Sequence, residues 1–461
     1  MSIVACYFRG ISIPLHNVEM RLSYPYEKVP NNVNKERAFT LQVSAFCVNL
    51  IQKKTKDKVR GILCEVMEVG MNVLILSCNT GEGHNAAGRA LEEYLKYSGE
   101  EVEMIDFMKL ASERTSRIVG GAYVSIAKLT PHFFGLIYQL GMKVSNKRHK
   151  SPVYYANALM AKYLSEYLKK HSVDILVTPH LYPAETITYM KKKSLLRCKT
   201  LAIATDYTCI PFWEETNCDA YIIPHEDLIQ EFSSRGISRE KLYPLGIPVK
   251  KAFCNNQELK ICSFDEQNME YKSVKERLKL PNNRSLFLVM SGSMGFGKIQ
   301  LFTFELNRKC KKGEQIVVIC GNNHKLFRMM KQRFRYHTNV HIIGYTNNVS
   351  LYMEAADVVY TKPGGLTSTE VIVKNKPLVH TAPIPGCETS NMEFFAVKGM
   401  ALSSHSLKNQ IQQGMKLMNC EQMRMGMLNS QVKHSKPNAC RDIYHLMKKM
   451  CGEDADEISH I

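Results

Sequence analysis

Twice in this chain an apolar run of strand length leads into a glycine-rich turn and then into a helical pattern, and this repeated order limits the folds open to it. The first occurrence runs from "NVLILSC" (72–78) through "NTGEGHNAAG" to "RALEEYLKYSG" (89–99), with "EVEMIDF" (101–107) as the next strand. Strand, turn, helix, strand is a βαβ unit, whose ligand end is the turn after the first strand. "VDILVTPH" (173–180), "TLAIATD" (200–206), "DAYIIPH" (219–225) and "LYPLGIPV" (242–249) continue the series. The pattern lapses in a polar stretch ending in "LPNNRS" and restarts at "LFLVMSG" (286–292). "QIVVICG" (315–321), "VHIIGY" (340–345), "DVVYTKPGG" (357–365) and "PLVHTAP" (377–383) follow. The expected fold is α/β, two Rossmann-like domains facing each other across a cleft.

The boundaries expected are an unassigned extension over 1–70, a first domain over 71–250, a linker over 251–283 and a second domain over 284–405. Helices fill 406–461, the last, "ACRDIYHLMKKM" (439–450), packing back on the first domain. A length of 461 residues agrees with two domains. Apolar residues at 45% and charged residues at 23% exclude wholesale disorder and a polytopic membrane protein. The 15 cysteines form no CxxC pair, so they read as reduced thiols in a cytosol rather than a zinc knuckle or a disulfide framework. The start lacks the basic and apolar regions of a signal peptide, and no apolar stretch reaches the roughly 18 residues of a spanning helix. The formal charge of +18 calls for an anionic partner: nucleic acid, an acidic membrane surface or phosphorylated substrates. No aromatic-rich RNA-binding signature or zinc-finger spacing accompanies it, which argues against nucleic acid.

In "SGSMGFGKI" (291–299), Gly292, Gly297 and Lys298 fit the glycine-lysine half of a P-loop, but Ile299 stands where a hydroxyl would hold magnesium. A diphosphate bound and released by backbone amides suits this loop of Gly292, Ser293, Gly295, Gly297 and Lys298 better than a triphosphatase does. In "TKPGGLTSTEV" (361–371), Gly364 and Gly365 precede a helix starting between Leu366 and Ser368. There backbone and the hydroxyl of Thr367 or Ser368 can reach phosphate, and Glu370, one turn in, can either accept both hydroxyls of a ribose or simply complement the helix dipole. "PIPGCETSN" (383–391) offers Glu388 and Asn391 to sugar hydroxyls. His84 ends "GEGH" at a helix start, where the dipole favours the neutral imidazole a general base requires.

The segments "NTGEGHNAAGRAL", "TDYTCIPFWEETNCDAYIIPHEDL", "YPLGIPV", "SGSMGFGK", "YTKPGGLTSTEV" and "PIPGCETSN", in this order, resemble the monogalactosyldiacylglycerol synthase and diacylglycerol glucosyltransferase group of GT-B glycosyltransferases, relatives of the enzyme that forms lipid II. The resemblance runs from Met71 to about Met450 and leaves 1–70 unmatched. It implies inverting transfer of a hexose from UDP-glucose or UDP-galactose to the hydroxyl of diacylglycerol, with no cofactor and no obligatory metal. It also implies His84 as the base, supported by Asp206; the loop from Gly292 to Gly297 and the helix start near Gly365 on the diphosphate; Glu370 on the ribose; and Glu388 and Asn391 on the sugar. The alternatives are transfer to an undecaprenyl-linked acceptor and an inactive anion- or nucleic-acid-binding protein on the same fold. Two departures stand out: the family often has Gln where Cys387 stands, and it places a His shortly after "TD" that "TDYTCIPFW" lacks.

For the acceptor side, 117–150 joins an uncharged 14-residue run (129–142), aromatic Phe133, Phe134 and Tyr138, and a basic end. That composition suits either an interfacial segment on an anionic leaflet or a buried helical hairpin. The resulting expectation is a peripheral enzyme on the cytoplasmic face of the membrane.

Overall fold

The first sheet is built, in chain order, from β1 (Asn72–Ser77), β2 (Glu101–Asp106), β3 (Ile175–Thr178), β4 (Lys199–Ile203), β5 (Ala220–Ile222) and β6 (Leu242–Tyr243). A computed structural model describes residues 70–78, 82–114, 150–254, 273–290 and 298–452. Residues 1–69, the segment 115–149, the linker centre 255–272, the tail after 452 and the loop carrying Gly292, Ser293, Gly295 and Gly297 lie outside the described residues. The strands pair in parallel in the order β2-β1-β3-β4-β5-β6, with Val73 opposite Val102 on one side and Ile175 on the other. β1 and β3 are buried almost throughout, which explains why they are apolar in unbroken runs rather than in alternation.

The second sheet contains β7 (Leu286–Met290), β8 (Gln315–Ile319), β9 (Val340–Ile343), β10 (Val358–Thr361), β11 (Leu378–His380) and β12 (Leu402–Ser403). Its order is β12-β11-β10-β7-β8-β9, again parallel. In both sheets the direction of growth reverses beside the first strand, at β1/β3 and at β7/β10. Ligands of open α/β sheets bind outside the carboxyl ends of the strands at such a reversal.

Among the helices, α1 (Glu82–Tyr97) follows β1, α2 (Leu181–Lys192) follows β3, and α3 (Ile299–Lys309) follows the loop after β7. α4 (Gly365–Val373) follows β10, and α5 (Cys387–Val397) follows β11. α6 (Leu407–Asn419), α7 (Glu421–His434) and α8 (Ala439–Cys451) come last. α1 begins seven residues before the sequence pattern suggests, so "EGH" is already helical. Glu82 complements the dipole there, and a glycine in the first turn, where N–H groups have no helical partner anyway, costs little. The helix ends before Gly99, whose φ of 86° is the left-handed conformation of a C-terminal cap.

α7 belongs to the second lobe, where the Gln431 side-chain amide donates to the carbonyls of Lys376 (2.9 Å) and Met400 (2.8 Å). α8 belongs to the first. Its Ile443 and Met447 are fully buried against Met71, Leu95 and Ile175, a burial that stabilises by roughly 1.5–3 kcal/mol per side chain. The Tyr444 hydroxyl donates to Glu100 at 2.7 Å. The chain therefore passes from one sheet to the other between His434 and Ala439.

Candidate active site

The carboxyl ends of β1, β3 and β4 bring together His84, His180 and the run Thr205-Asp206-Tyr207. His84 lies in the first turn of α1, with Nδ1 2.7 Å from the Thr205 hydroxyl. Its ring meets that of His180 edge-on at 4.8 Å. His180 caps α2, its Nδ1 accepting from the Tyr182 amide at 3.2 Å, so its proton resides on Nε2. Burial, reinforced by His84, pushes His180 well below the usual histidine range. Burial also lowers His84, while the Asp206 charge and the Pro179 carbonyl pull it partly back; the net shift is downward. Both rings are therefore neutral at pH 7.

The facing side comes from the second lobe. β10 runs through Pro363 and Gly364 into α4, and the helix start is pressed onto the end of β4. A Cβ placed on Gly365 would sit 1.9 Å from the Thr205 carbonyl oxygen and 3.2 Å from the Asp206 Cα, so only glycine permits this approach. Leu366 is buried, and its Cβ lies 4.0 Å from where a Cβ on Gly83 of α1 would stand, so its side chain serves the contact between lobes. Tyr207 is clamped: its hydroxyl bonds Thr369 at 2.9 Å, and its ring packs on Phe394 and Phe395 at 5.0 and 4.7 Å.

The sequence left the hydroxyl of Thr367 or Ser368 for phosphate, and the structure separates them. Ser368 is fully buried with its hydroxyl 3.0 Å from His380 Nε2, turned into the sheet and away from the cleft, whereas Thr367 is half-exposed. Glu370 is largely buried and accepts no hydrogen bond from the described residues; burial pushes its carboxyl up to about 8 against the pull of Lys250. Lys298 is exposed at the start of α3.

Glu388 and Asn391, expected on sugar hydroxyls, are engaged within the protein. Glu388 accepts from Lys362 through one oxygen and from the Ile384 amide at 2.8 Å through the other. Asn391 is fully buried; its amide donates to Asp206 Oδ1 (2.9 Å) and the Pro363 carbonyl (3.0 Å), and its oxygen accepts from the Tyr207 amide (2.7 Å). Cys387, at the start of α5, also bonds Asp206, and burial, with that carboxylate beside it, holds its thiol well above the usual range.

Thr205, His180, Tyr207 and Thr369 belong to this junction without having been singled out in sequence. The readable signal was position: "TPH" and "ATD" both end strands at the carboxyl edge, where ligand-facing groups collect.

Two family descriptions match the chain: monogalactosyldiacylglycerol (MGDG) synthase over residues 84–249, and the glycosyltransferase family 28 C-terminal domain over residues 286–441. The processive diacylglycerol beta-glucosyltransferase of Staphylococcus carnosus is 26% identical over 285 residues, covering 61% of this chain and 69% of that one. The enzyme of the same name from Bacillus pumilus is 25% identical over 391 residues, 82% of this chain and 95% of its own. Among solved structures, Acinetobacter baumannii MurG superposes with a TM-score of 0.53 at 16% identity, over 82% of this chain and all of that one. Staphylococcus aureus MnaA, in its structure with UDP, gives 0.54 at 14% identity over 85% of this chain and all of MnaA. The fold is that of GT-B glycosyltransferases. On two domain matches in the expected order, the chain belongs to the family that joins an MGDG synthase domain to a glycosyltransferase family 28 C-terminal domain.

Proposed function

We propose that this protein is an inverting glycosyltransferase that moves glucose or galactose from its UDP-sugar to the hydroxyl of diacylglycerol. The observation that carries the reading is the junction itself: neutral His84 of the first lobe lies on the Thr205 hydroxyl, and the α4 start of the second lobe abuts the same residue. His84 takes the proton of the acceptor hydroxyl as its oxygen attacks the anomeric carbon from the face opposite UDP. The departing diphosphate gathers negative charge at the N-terminus of α4, where unpaired backbone N–H groups and the helix dipole stabilise it; Lys298 and the loop before it complete the anion site. Glu370, a turn and a half into α4, takes the ribose hydroxyls. The related enzymes bear the name of this reaction, and the MnaA structure contains UDP on the same fold.

The described residues contain no helix long and apolar enough to cross a membrane. A charge of +18 draws the protein to anionic lipid, where its acceptor resides, and the proposed place of action is the cytoplasmic face. The deciding assay incubates the protein with UDP-glucose or UDP-galactose and vesicles containing diacylglycerol. The expected product is a β-linked hexosyl lipid; UDP release without lipid product, or transfer only to a polyprenyl-phosphate-linked acceptor, overturns the reading.

Glu370 gives this proposal a pH signature. A carboxyl raised to about 8 is protonated at neutral pH, and two ribose hydroxyls that donate to it prefer the anion. Below its pKa, binding must first remove a proton, so UDP affinity rises with pH up to about 8 and levels off above it. Calorimetric titration with UDP across this range is expected to show the rise. Glu370→Gln flattens it and, above about pH 8 where the parent carboxyl is ionised, weakens binding about tenfold to a hundredfold, the value of hydrogen bonds to a charged acceptor.

A further inference from the structure

We infer that Asn391 of the second lobe is a positioning residue for the base of the first, holding the Asp206 carboxylate beside His84 only while the lobes are shut. The inference rests on the proposed transfer chemistry. It begins from saturation: both N–H donors of the Asn391 amide and its oxygen are taken by Asp206, Pro363 and the Tyr207 amide. The orientation is fixed, because the Tyr207 N–H requires an acceptor and the Asp206 carboxylate and Pro363 carbonyl require donors. In this closed arrangement the side chain has no donor left for a sugar hydroxyl.

Two of those three bonds cross between lobes, and they end on the residue next to Thr205 and on the one after it. Thr369 and the Phe394–Phe395 pair grip the same tripeptide through Tyr207. The carboxyl end of β4 is thus shaped largely by α4 and α5 of the other lobe. Among the described residues, the titratable groups facing His84 are Asp206 after β4 and His180 after β3, and Asp206 in turn faces Cys387 of α5. His180 is neutral, so Asp206 supplies the one negative charge among them that supports a proton on His84. When the lobes part, Asp206 loses the Asn391 donor and the carboxylate can turn to water. The imidazolium formed during transfer then loses its counter-charge. Base competence is thereby tied to closure over the donor.

The test compares the parent with Asn391→Ala, Asp206→Asn and the double variant. Expected for Asn391→Ala is a kcat lowered roughly tenfold or more with little change in KM for the UDP-sugar, and an acidic limb of the kcat profile displaced to lower pH. The titration of His84, followed by NMR of labelled histidine, moves down in either single variant. It moves no further in the double, since both changes act through one carboxylate. Should alanine prevent folding, Asn391→Gln keeps an amide but displaces it and serves the same comparison. A raised KM with kcat and the His84 titration unmoved makes Asn391 a sugar ligand and overturns the inference, as do additive effects in the double variant. The NMR readout needs no substrate: a shifted titration in a protein that glycosylates no diacylglycerol upholds the coupling of Asn391 to His84 through Asp206 and removes the transfer reading instead.

Discussion

Replacing Gly365 with alanine is expected to reduce hexose transfer about a hundredfold or more while leaving each lobe folded. The added Cβ would stand 1.9 Å from the Thr205 carbonyl oxygen and 3.0 Å from its carbon, both backbone atoms of the opposite lobe. No side chain can swing aside to admit it. Relief comes only from separating α4 and the end of β4 by roughly 1 Å, a misplacement that costs about a hundredfold when it falls on groups that must be aligned. The same displacement loosens the Tyr207–Thr369 and Asn391–Asp206 bonds, so the lobes should open more readily. Turnover with UDP-sugar and diacylglycerol, measured beside the thermal midpoint and small-angle scattering, checks this. Loss of activity with a more extended particle and a near-parental midpoint is the expected result. Full activity would show that the productive state is more open than the present one.

His84→Ala is expected to lower kcat by about a hundredfold to ten-thousandfold, the usual contribution of a positioned general base. Its affinity for the UDP-sugar should stay close to the parent's, because no donor contact is assigned to the imidazole. In the parent, burial lowers the pKa of His84, so the ring is neutral and able to accept a proton from below pH 6.5 upward. The acidic limb of kcat/KM should accordingly lie below pH 6.5 and disappear in the variant. Steady-state kinetics across pH, with donor binding measured separately, distinguishes this from a donor-binding defect. A variant with parental kcat removes His84 from the chemistry.

The sheets were legible because parallel strands covered on both faces must be apolar without interruption, and runs such as "NVLILS" and "LFLVM" can be little else once glycine turns bound them. β12 was not: the two-residue β6 opens the apolar run "LYPLGIPV", whereas the equally short Leu402–Ser403 leads into polar residues. The early start of α1 was hidden because "GEG" reads as a turn, whereas the first helical turn tolerates Gly83. At the site, the glycine pair at 364–365 announces a helix start, and α4 begins at Gly365. The choice between Thr367 and Ser368 depends on helical phase relative to His380, which a local motif does not contain. Asn391 has the right chemistry for a sugar, but its partners come from Asp206, Tyr207 and Pro363, remote in sequence or on another element, and only the assembled junction reveals that they use it up.

The return of α8 to the first sheet means that the polypeptide connects the lobes at two places, once through the linker before β7 and once between His434 and Ala439. The second of these crossings is short, so it holds the end of α7 and the start of α8 close to each other while the lobes move. The lobes thus stay joined at one edge while UDP leaves and a new donor enters, which shortens the search by which Gly365 meets the Thr205 carbonyl again.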